Sequence, residues 1–542
     1  MSRPSGFSTG PHAQPVIWAS KGKAHLAADQ AMQALQRAGR NLYARGPQLV
    51  YPCHVAARGA NGTAITTPGV LVVGRSLLQR ELAKVASWQY QTAKGEVRQC
   101  DPPEIVVNQL LAMVPDWTFS PLAGVTSTPF LRRGGDLVAA EGFDSASGYM
   151  LMDLPVMPPI PNRPTKDDAA RALQQLEDLL NEFPFVTDID KSVGLSLVMT
   201  PTLRPTIDGW VPLHSLSSPE AGTGKSFLLD IAAMLATGNW CPVIAATRDP
   251  EELDKKLTAA LLAAMPIISI DNINRLLSSD LLAQAVERPI LTLRPLGTSQ
   301  NIIVPNVSTI GVNGNNLHVV DDLVRRTLQG ALDANCEDPE TRTFQKNPLA
   351  MVRADRGVFI AGILTIARAY MAAGYPEKPT PLPSFEPWSD LVRGVLIWLG
   401  RADPTESISR SRADDPHKQA FTAFLDAFPT ELTGYTAAEL VQAATEHRDD
   451  GKPARPDFLA ALRAVALDRR GNLSVERLGY WLRSQKGRVA WRWKLSQRGP
   501  DKRREWFRQA RPGSDSSDKG DGFRHARVES EFLPNSMRKP SL

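Results

Sequence analysis

The sequence predicts an α/β fold built around a parallel sheet whose strands are joined by crossover helices. From Trp210 to about Ala334, short apolar runs alternate with helical patterns, which is typical of such a sheet. Within this region the glycine-rich stretch 219–226 separates a predicted strand, Trp210–Leu216, from a predicted helix, Phe227–Leu235. We therefore expect the core of the α/β fold over residues 206–336.

The length of 542 residues predicts about three to five domains. A composition of 42% hydrophobic and 22% charged residues is that of a globular protein and excludes a mostly disordered or fibrous chain. Linker signals and periodicity divide the chain around the core. The expected parts are a mixed α/β domain at 1–157, a helical collar at 165–205, a helical segment at 345–403, a winged-helix-like basic domain at 417–511 and a disordered tail at 512–542.

Cysteine and histidine patterns exclude several classes of protein. The four cysteines are far apart and form no C-x-x-C pair, which argues against a disulfide scaffold or a zinc site and favours a reducing, cytoplasmic location. The histidines form no H-x-x-x-H pattern, so no transition-metal site is expected. The most apolar uncharged stretch, Leu257 to Ile270, is too short to span a membrane, and no membrane partner is expected.

The stretch 219–226 has the chemistry of a phosphate-binding loop. Two glycines allow the backbone to wrap so that its N–H groups face phosphates, and the helix N-terminus adds positive partial charge. Lys225, expected to face solvent, would reach the β- and γ-phosphates, and the Ser226 hydroxyl would bind Mg²⁺. Pro219 departs from the pattern because it replaces the usual first glycine. The expected nucleotide-binding residues are Gly222, Thr223, Gly224, Lys225, Ser226 and Phe227.

An apolar run ending in an acid, Met265 to Asn272, predicts the second part of the nucleotide site. Asp271 would hold Mg²⁺ through water, together with Ser226; the alternative is that Asp271 caps a helix after a buried strand. Many such ATPases carry Glu at the next position to polarise the attacking water, whereas this chain carries Asn272. Hydrolysis is then slow, or Glu220 or Glu287 supplies the base.

Three further patterns follow the acid. Alternating apolar residues on either side of Gly297–Gln300 predict a hairpin from 289–296 and 301–305. The next strand, 308–316, ends in amides, of which Asn315 is placed to sense the γ-phosphate and orient the lytic water. The pair Arg325–Arg326 follows, and Arg326 would act as an arginine finger in a neighbouring subunit; the alternative is a surface arginine pair.

The C-terminal region is strongly basic. Residues 481–511 hold eleven Lys or Arg and two Asp or Glu, so this segment carries +9 in a chain whose net charge is +5. A predicted helix, 474–487, precedes a predicted strand, 489–495, and a second strand near Trp506, which suggests a winged helix on DNA. Trp491 and Trp493 are expected in the core of the wing rather than as base-stacking platforms, and a solvated basic face is the alternative to DNA binding. The expected DNA contacts here are Arg483, Lys486, Arg488, Arg492, Lys494 and Arg498.

These motifs together resemble the helicase half of phage- and prophage-encoded primase–helicases, which are AAA+ ATPases close to superfamily 3 helicases. The similarity spans roughly residues 40–490. It lies in Glu220–Ser226, 269–274, 293–297, 314–316 and 321–328, with weaker similarity at 48–58, 121–148 and 388–400.

The resemblance implies a P-loop AAA+ ATPase that uses ATP and Mg²⁺. It implies a homo-oligomeric ring, with a hexamer favoured, that moves on single- or double-stranded DNA during replication of a phage or other mobile element. The hairpin tip has no Lys or Arg, unlike many superfamily 3 hairpins, and Arg294 is the nearest basic residue. The chain lacks zinc-ribbon cysteines, and its D-x-D pair, Asp188 and Asp190, falls between predicted helices, so a primase would be a separate protein.

Two other functions stay open at the level of the sequence. In the first, the chain is an AAA+ initiator or loader scaffold that binds ATP and DNA but hydrolyses ATP poorly because of Asn272. In the second, it is a defence or regulatory ATPase on the same core. Stimulation of ATP turnover by single-stranded DNA would distinguish a helicase from both.

Overall fold

The computed structural model describes residues 14–58, 64–247, 249–274, 276–297, 300–431, 433–468, 470–500 and 504–510. The chain divides into two compact units between Asp415 and Pro416. The predicted tail at 512–542 lies outside the described residues, as does part of the hairpin tip. The charged stretch between the expected parts 345–403 and 417–511 contains a helix, Glu406–Asp414, whose Ile408 is buried.

The N-terminal part of the first unit is mixed α/β, as predicted. Its small sheets have the strand orders β1-β5-β6, β2-β3-β4 and β10-β11-β7, with β8 paired to β9. Helices α1, α2 and α3 supply much of one apolar core, around Leu35, Leu78 and Leu110. The elements are β1 (Val16–Trp18), α1 (Ala24–Arg37), β2 (Tyr43–Arg45), β3 (Gln48–Arg58), β4 (Ala64–Val72), α2 (Arg75–Val85), β5 (Ser87–Gln91), β6 (Val97–Gln99), α3 (Glu104–Ala112), β7 (Gly124–Thr126), β8 (Phe130–Leu131), β9 (Leu137–Val138), β10 (Gly142–Asp144) and β11 (Tyr149–Leu151).

Two helices, α4 (Lys166–Leu180) and α5 (Asp188–Leu203), follow the proline-rich stretch. Thr165 and Asp168 cap α4 reciprocally: each side chain accepts a hydrogen bond from the other residue's backbone N–H. Asp190 lies in the first turn of α5, is fully buried and forms an ion pair with Arg410. The D-x-D pair is therefore part of a helix start, and Asp190 has a structural partner.

The central sheet is parallel and five-stranded, in the order β13-β14-β18-β12-β20. Since β18 pairs with both β12 and β14, its carboxyl end lies between theirs. The predicted hairpin also forms, from β16 and β17. The elements are β12 (Leu213–Ser218), α6 (Lys225–Thr237), β13 (Val243–Ala245), α7 (Pro250–Leu262), β14 (Ile267–Asp271), β15 (Leu276–Leu277), α8 (Asp280–Glu287), β16 (Ile290–Leu293), β17 (Ile302–Pro305), β18 (Thr309–Asn315), β19 (His318–Val319) and β20 (Thr327–Ala331).

The sheet is buried on both faces, which explains why its strands read as continuous apolar runs. Successive residues of β14 enter different cores. Ile267 joins the core formed with α4, α5 and α6, whereas Ile268 joins the core formed with α7 and α8. The first of these cores also contains the helices that follow the sheet, which are α9 (Pro348–Ala372), α10 (Glu386–Trp388), α11 (Gly394–Trp398) and α12 (Glu406–Asp414).

The described residues of the second unit form four helices and an antiparallel three-stranded sheet of order β21-β22-β23. A single bridge, Tyr435 to Trp506, adds a residue that precedes α14 to the edge of this sheet. Leu478, Leu495 and Trp506 lie in the apolar core of the unit. The elements are α13 (Pro416–Asp426), α14 (Ala437–Thr445), α15 (Pro456–Ala466), α16 (Val475–Gln485), β21 (Val489–Ala490), β22 (Trp493–Arg498) and β23 (Glu505–Ala510).

The predicted strand 489–495 is wrong, because a turn at Trp491 and Arg492 divides it. Ala490 pairs with Trp493 across this turn, and Trp491 has a φ of +48°. The two tryptophans therefore do not share a face. Trp493 packs against the core, whereas Trp491 is 78% exposed and does not belong to the core as predicted.

Among the described residues, no helix is long and apolar enough to cross a membrane. The four cysteines form no disulfide. The part of the chain that the structure describes holds no group of three or more His, Cys, Asp or Glu side chains placed to bind a metal ion.

Candidate nucleotide site

The candidate nucleotide site lies at the carboxyl edge of the parallel sheet, where open α/β sheets bind ligands. Three adjacent strands end here: β12 at Ser218, β18 at Asn315 and β14 at Asp271. The glycine-rich loop connects β12 to α6, so the predicted order of strand, loop and helix is present. Because β18 is the middle strand, its terminal amide lies between the loop and the acid.

The loop turns sharply into α6 at its glycines. Gly222 has a φ of +75°, and Gly224, the N-cap of α6, has a φ of +99°. Residues with a side chain rarely adopt these backbone angles, so glycine is the residue that fits. The turn brings the start of α6, with its unpaired backbone N–H groups, to the mouth of the loop. Pro219, at the place of the usual first glycine, does not prevent this geometry.

Lys225 is enclosed by the loop rather than facing solvent, so the prediction of a solvent-facing lysine is wrong. Its Nζ donates to Asn315 Oδ1 at 2.9 Å, to the Glu220 carbonyl at 3.1 Å and to Thr223 Oγ1 at 3.2 Å. It also donates to Ser218 Oγ. The residue is 7% exposed, and burial lowers the pKa of its ammonium group, which the charge of Asp271 partly opposes.

Ser226 and Asp271 form the second part of the site. Ser226 Oγ donates to Asp271 Oδ1 at 3.3 Å, so two hard oxygen ligands lie beside the loop. Such oxygens suit Mg²⁺, which is commonly held by few protein ligands, by water and by substrate phosphates. The chemistry of this donor pair therefore fits the metal that the sequence implies.

Asp230, on α6, is an acidic residue near this site that the sequence motifs do not indicate. Burial raises the pKa of its carboxyl group, its bond from the Cys241 amide opposes this, and the charge of Asp271 adds to the rise. Its signal in the sequence is a single acid within the apolar run 227–235.

The conformation of the loop after Asp271 accounts for the Asn at position 272. The same loop packs against the end of β18, which carries Asn315. Asn272 has a φ of +62°, a conformation that Asn adopts more readily than Glu. The Ile273 amide donates to the Asn313 carbonyl at 3.0 Å, which holds the loop against β18. A Cβ at Gly314 would lie 1.9 Å from the Ile273 carbonyl oxygen, so only glycine permits this approach.

Of the two candidate catalytic bases, Glu287 is engaged by other side chains. Glu287, at the end of α8, accepts hydrogen bonds from Arg325, Arg326 and Ser384. Burial alone would raise its pKa, but the hydrogen bonds from Ser384, Arg326 and Arg325 outweigh burial and hold the pKa below its ordinary value. Glu287 therefore belongs to an ion-pair cluster. Glu220 lies on the loop, its backbone carbonyl accepts from Lys225, and its side chain is exposed, so its role as the base stays a prediction.

The same cluster changes the interpretation of Arg326. Its side chain is 7% exposed, its Nε donates to Glu287 Oε2 at 2.7 Å, and its Nη1 donates to the Asp322 carbonyl at 2.8 Å. A finger must project from its own subunit, whereas this side chain is enclosed by carboxylates of the same chain. The structure does not support the projecting arrangement expected for Arg326. Its neighbour Arg325 is 41% exposed and shares Glu287.

A cleft of about 590 Å³ opens beside Gly222–Gly224. Phe227, predicted from the sequence, lines it together with Phe183 and Phe344, which the sequence did not indicate. The rings of Phe183 and Phe227 stack at 6.3 Å between centroids and 28° between planes. Ligand pockets are commonly of this size and largely apolar.

The predicted DNA-contacting residues fall in both units. Arg294 follows β16 at the hairpin of the first unit, and the residues between it and β17 are only partly described. In the second unit, all six predicted basic side chains are exposed. Arg498 pairs with Glu505, and Arg488 donates to Gln485. Arg483 and Arg492 lie beside aromatic rings.

No family model matches the chain, and no curated protein does. Among solved structures, the C-terminal region of NrS-1 is similar at 12% identity and a TM-score of 0.34, over 78% of this chain and 84% of that one. The active helicase Cch of SCCmec type IV is similar at 13% identity and a TM-score of 0.34, over 86% and 95%. A JCV helicase structure gives 10% identity and a TM-score of 0.21, over 53% and 73%. At these TM-scores nothing about activity is transferred to this chain.

Proposed function

We propose that this chain is an ATP-dependent motor on DNA, a helicase or translocase whose first unit binds and hydrolyses MgATP. The observation that carries the proposal is the convergence of four side chains at one sheet edge. Lys225 contacts Asn315, and Ser226 contacts Asp271, all beside a loop that ends in a helix N-terminus. This set matches what phosphoryl transfer to water requires.

The roles follow from the charges of the groups. The phosphates would replace the loop oxygens that now surround Lys225, since an ammonium surrounded by neutral acceptors gains from an anionic partner. Mg²⁺, held through Ser226 and Asp271, would neutralise charge on the β- and γ-phosphates. Asn315, released from Lys225, would then face the γ-phosphate and the attacking water.

The nucleoside would occupy the cleft beside Gly222–Gly224. The α-phosphate would lie at the start of α6, next to Phe227, and the base would extend toward Phe183 and Phe344, which line the cleft. Aromatic side chains stack on any base, which supports nucleotide binding without fixing a preference for adenine.

The finer parts of the proposal rest on the resemblance and on charge. Exposed basic residues of the second unit, with Arg294, would contact DNA phosphates. A ring, with six subunits favoured, would form around DNA in replication of a phage or other mobile element, with a separate primase. Arg325, the more exposed of the arginine pair, is the better placed to reach a neighbouring subunit.

A second function is favoured by a specific observation: the residue after Asp271 is not a carboxylate, and Glu287 is engaged elsewhere. Asn272 stands where many relatives of this design carry Glu, and Glu287 is held by two arginines. In this alternative the first unit binds MgATP, hydrolyses it slowly, and acts as an initiator or loader scaffold on DNA.

The experiment measures steady-state ATP hydrolysis with and without single-stranded DNA. A motor predicts turnover that rises with DNA and is lost in Asp271→Asn, while Asp249→Asn, an exposed helix cap, serves as the matched control. Nucleotide binding with negligible turnover under both conditions would favour the scaffold. Turnover that survives Asp271→Asn would contradict the assigned site.

A further inference from the structure

The turn between β21 and β22 in the second unit carries an exposed tryptophan at its tip. Trp491 is 78% exposed, the most exposed tryptophan among the described residues. Its φ of +48° belongs to a conformation that turns of this kind usually give to Gly, Asn or Asp. A bulky side chain at such a position is costly for folding, which favours a role outside folding.

The surroundings of Trp491 are cationic. From 481 to 498 the chain has six basic residues and no acidic one. The Arg492 guanidinium lies 5.6 Å from the Trp491 ring centroid and 5.4 Å from that of Trp493. Arg492 therefore sits between an exposed and a half-buried indole, near enough to both for cation–π interaction.

On α16, a second exposed aromatic side chain also lies beside an arginine. Tyr480 is 62% exposed, and the Arg483 guanidinium lies 4.3 Å from its ring centroid. The buried face of α16 carries Leu478 and Leu482, so Tyr480 and Arg483 belong to its outer face. Exposed aromatic rings with arginines are what proteins use to stack unpaired bases while holding the phosphate backbone.

We infer that the second unit binds single-stranded nucleic acid, with an unpaired base stacked on Trp491 and phosphates held by the flanking basic side chains. This inference rests on the proposed DNA-binding function and makes it more specific: the ligand is a strand with exposed bases rather than an intact duplex. Bases in a duplex expose their ring faces only at an end or a gap. An indole at the tip of a turn can therefore stack only on a base in an unpaired region.

The test compares two labelled oligonucleotides of equal length by fluorescence anisotropy: single-stranded oligothymidine, and the same backbone without bases. Both carry the same phosphates, so charge contacts are common to the two and stacking is not. The full chain is tested in three forms: the intact protein, Trp491→Ala and Trp491→Phe. Trp18→Ala, which removes a 44% exposed tryptophan of the first unit, is the matched control.

Trp491→Ala is expected to weaken binding of oligothymidine about five- to 150-fold, as the loss of one stacked base implies, and to leave binding of the abasic strand unchanged. Trp491→Phe keeps a ring and should restore most of the affinity, and Trp18→Ala should change nothing. An equal loss on both strands, or no loss on either, would overturn stacking while leaving DNA binding intact. If the intact protein binds neither strand, the proposed DNA-binding function fails together with this inference.

Discussion

Replacing Arg326 with Ala tests whether this arginine supports its own subunit. Its guanidinium is enclosed with Glu287 and Asp322, and the substitution removes charge-assisted hydrogen bonds to both. Glu287 keeps Arg325 and Ser384, so it is not left without partners. The free energy of unfolding should therefore fall by about 2–3 kcal/mol, which is less than the roughly 3–5 kcal/mol typical of breaking a buried ion pair.

This magnitude converts to a modest fall in the melting temperature. The unfolding entropy is about 2.1 cal/mol/K per residue, so the first unit, which ends at Asp415, has about 0.9 kcal/mol/K. A loss of about 2–3 kcal/mol then lowers its Tm by about 2–3 °C.

The assay is scanning calorimetry of intact protein, Arg326→Ala and Arg325→Ala. Arg325 is the matched control because it has the same partners but is 41% exposed, and exposed ion pairs contribute about 0–1 kcal/mol. Its substitution should shift Tm by about 1 °C at most. An unchanged Tm in Arg326→Ala, with ATP turnover lost only in assembled protein, would refute the structural role and restore the arginine finger.

Three further predictions concern other parts of the chain. The pKa of Glu287 is lowered in the folded state, so its ionised carboxylate stabilises the fold fully above its unfolded pKa of about 4.3. This stabilisation is lost as the pH falls through the folded pKa. The Tm difference between intact protein and Glu287→Gln should therefore shrink below about pH 4.3. Gly314→Ala would force a Cβ against the Ile273 carbonyl and should lower the free energy of unfolding, measured in urea, by about 3 kcal/mol or more. Gly74→Ala, with open space around it, should lower that free energy by less than about 1 kcal/mol. Removing residues 416–542 should reduce the slope of log affinity against log salt on single-stranded DNA by about three to four units, as about five lost phosphate contacts imply, and an unchanged slope would place the DNA contacts in the first unit.

Features coded by neighbouring residues could be predicted from the sequence. The apolar runs of β14 and β18, the hairpin and the strand–loop–helix order depend on local periodicity and on glycines. The polar ends of the strands, Asp271 and Asn315, meet because parallel strands present their carboxyl ends at one edge.

Features that depend on distant residues could not be predicted. Glu287 encloses Arg326 although it lies 39 residues away, and the cleft joins Phe183 to Phe344 across most of the first unit. The division of 489–495 was missed for a different reason: the turn at Trp491 contains no Gly, Asn, Asp or Pro, so the alternation of apolar residues continued through it unmarked.

The most direct test of the nucleotide site is a binding titration with a fluorescent ATP analogue in the presence of Mg²⁺. Lys225→Ala removes the enclosed ammonium, and Lys255→Ala removes an exposed one on α7 as the matched control. Because a charge-assisted bond to phosphate is worth about 1.5–3 kcal/mol, affinity should fall roughly tenfold or more in Lys225→Ala and stay unchanged in Lys255→Ala. Equal affinity of intact protein and Lys225→Ala would contradict the account, since the loop would then not be where the phosphates bind.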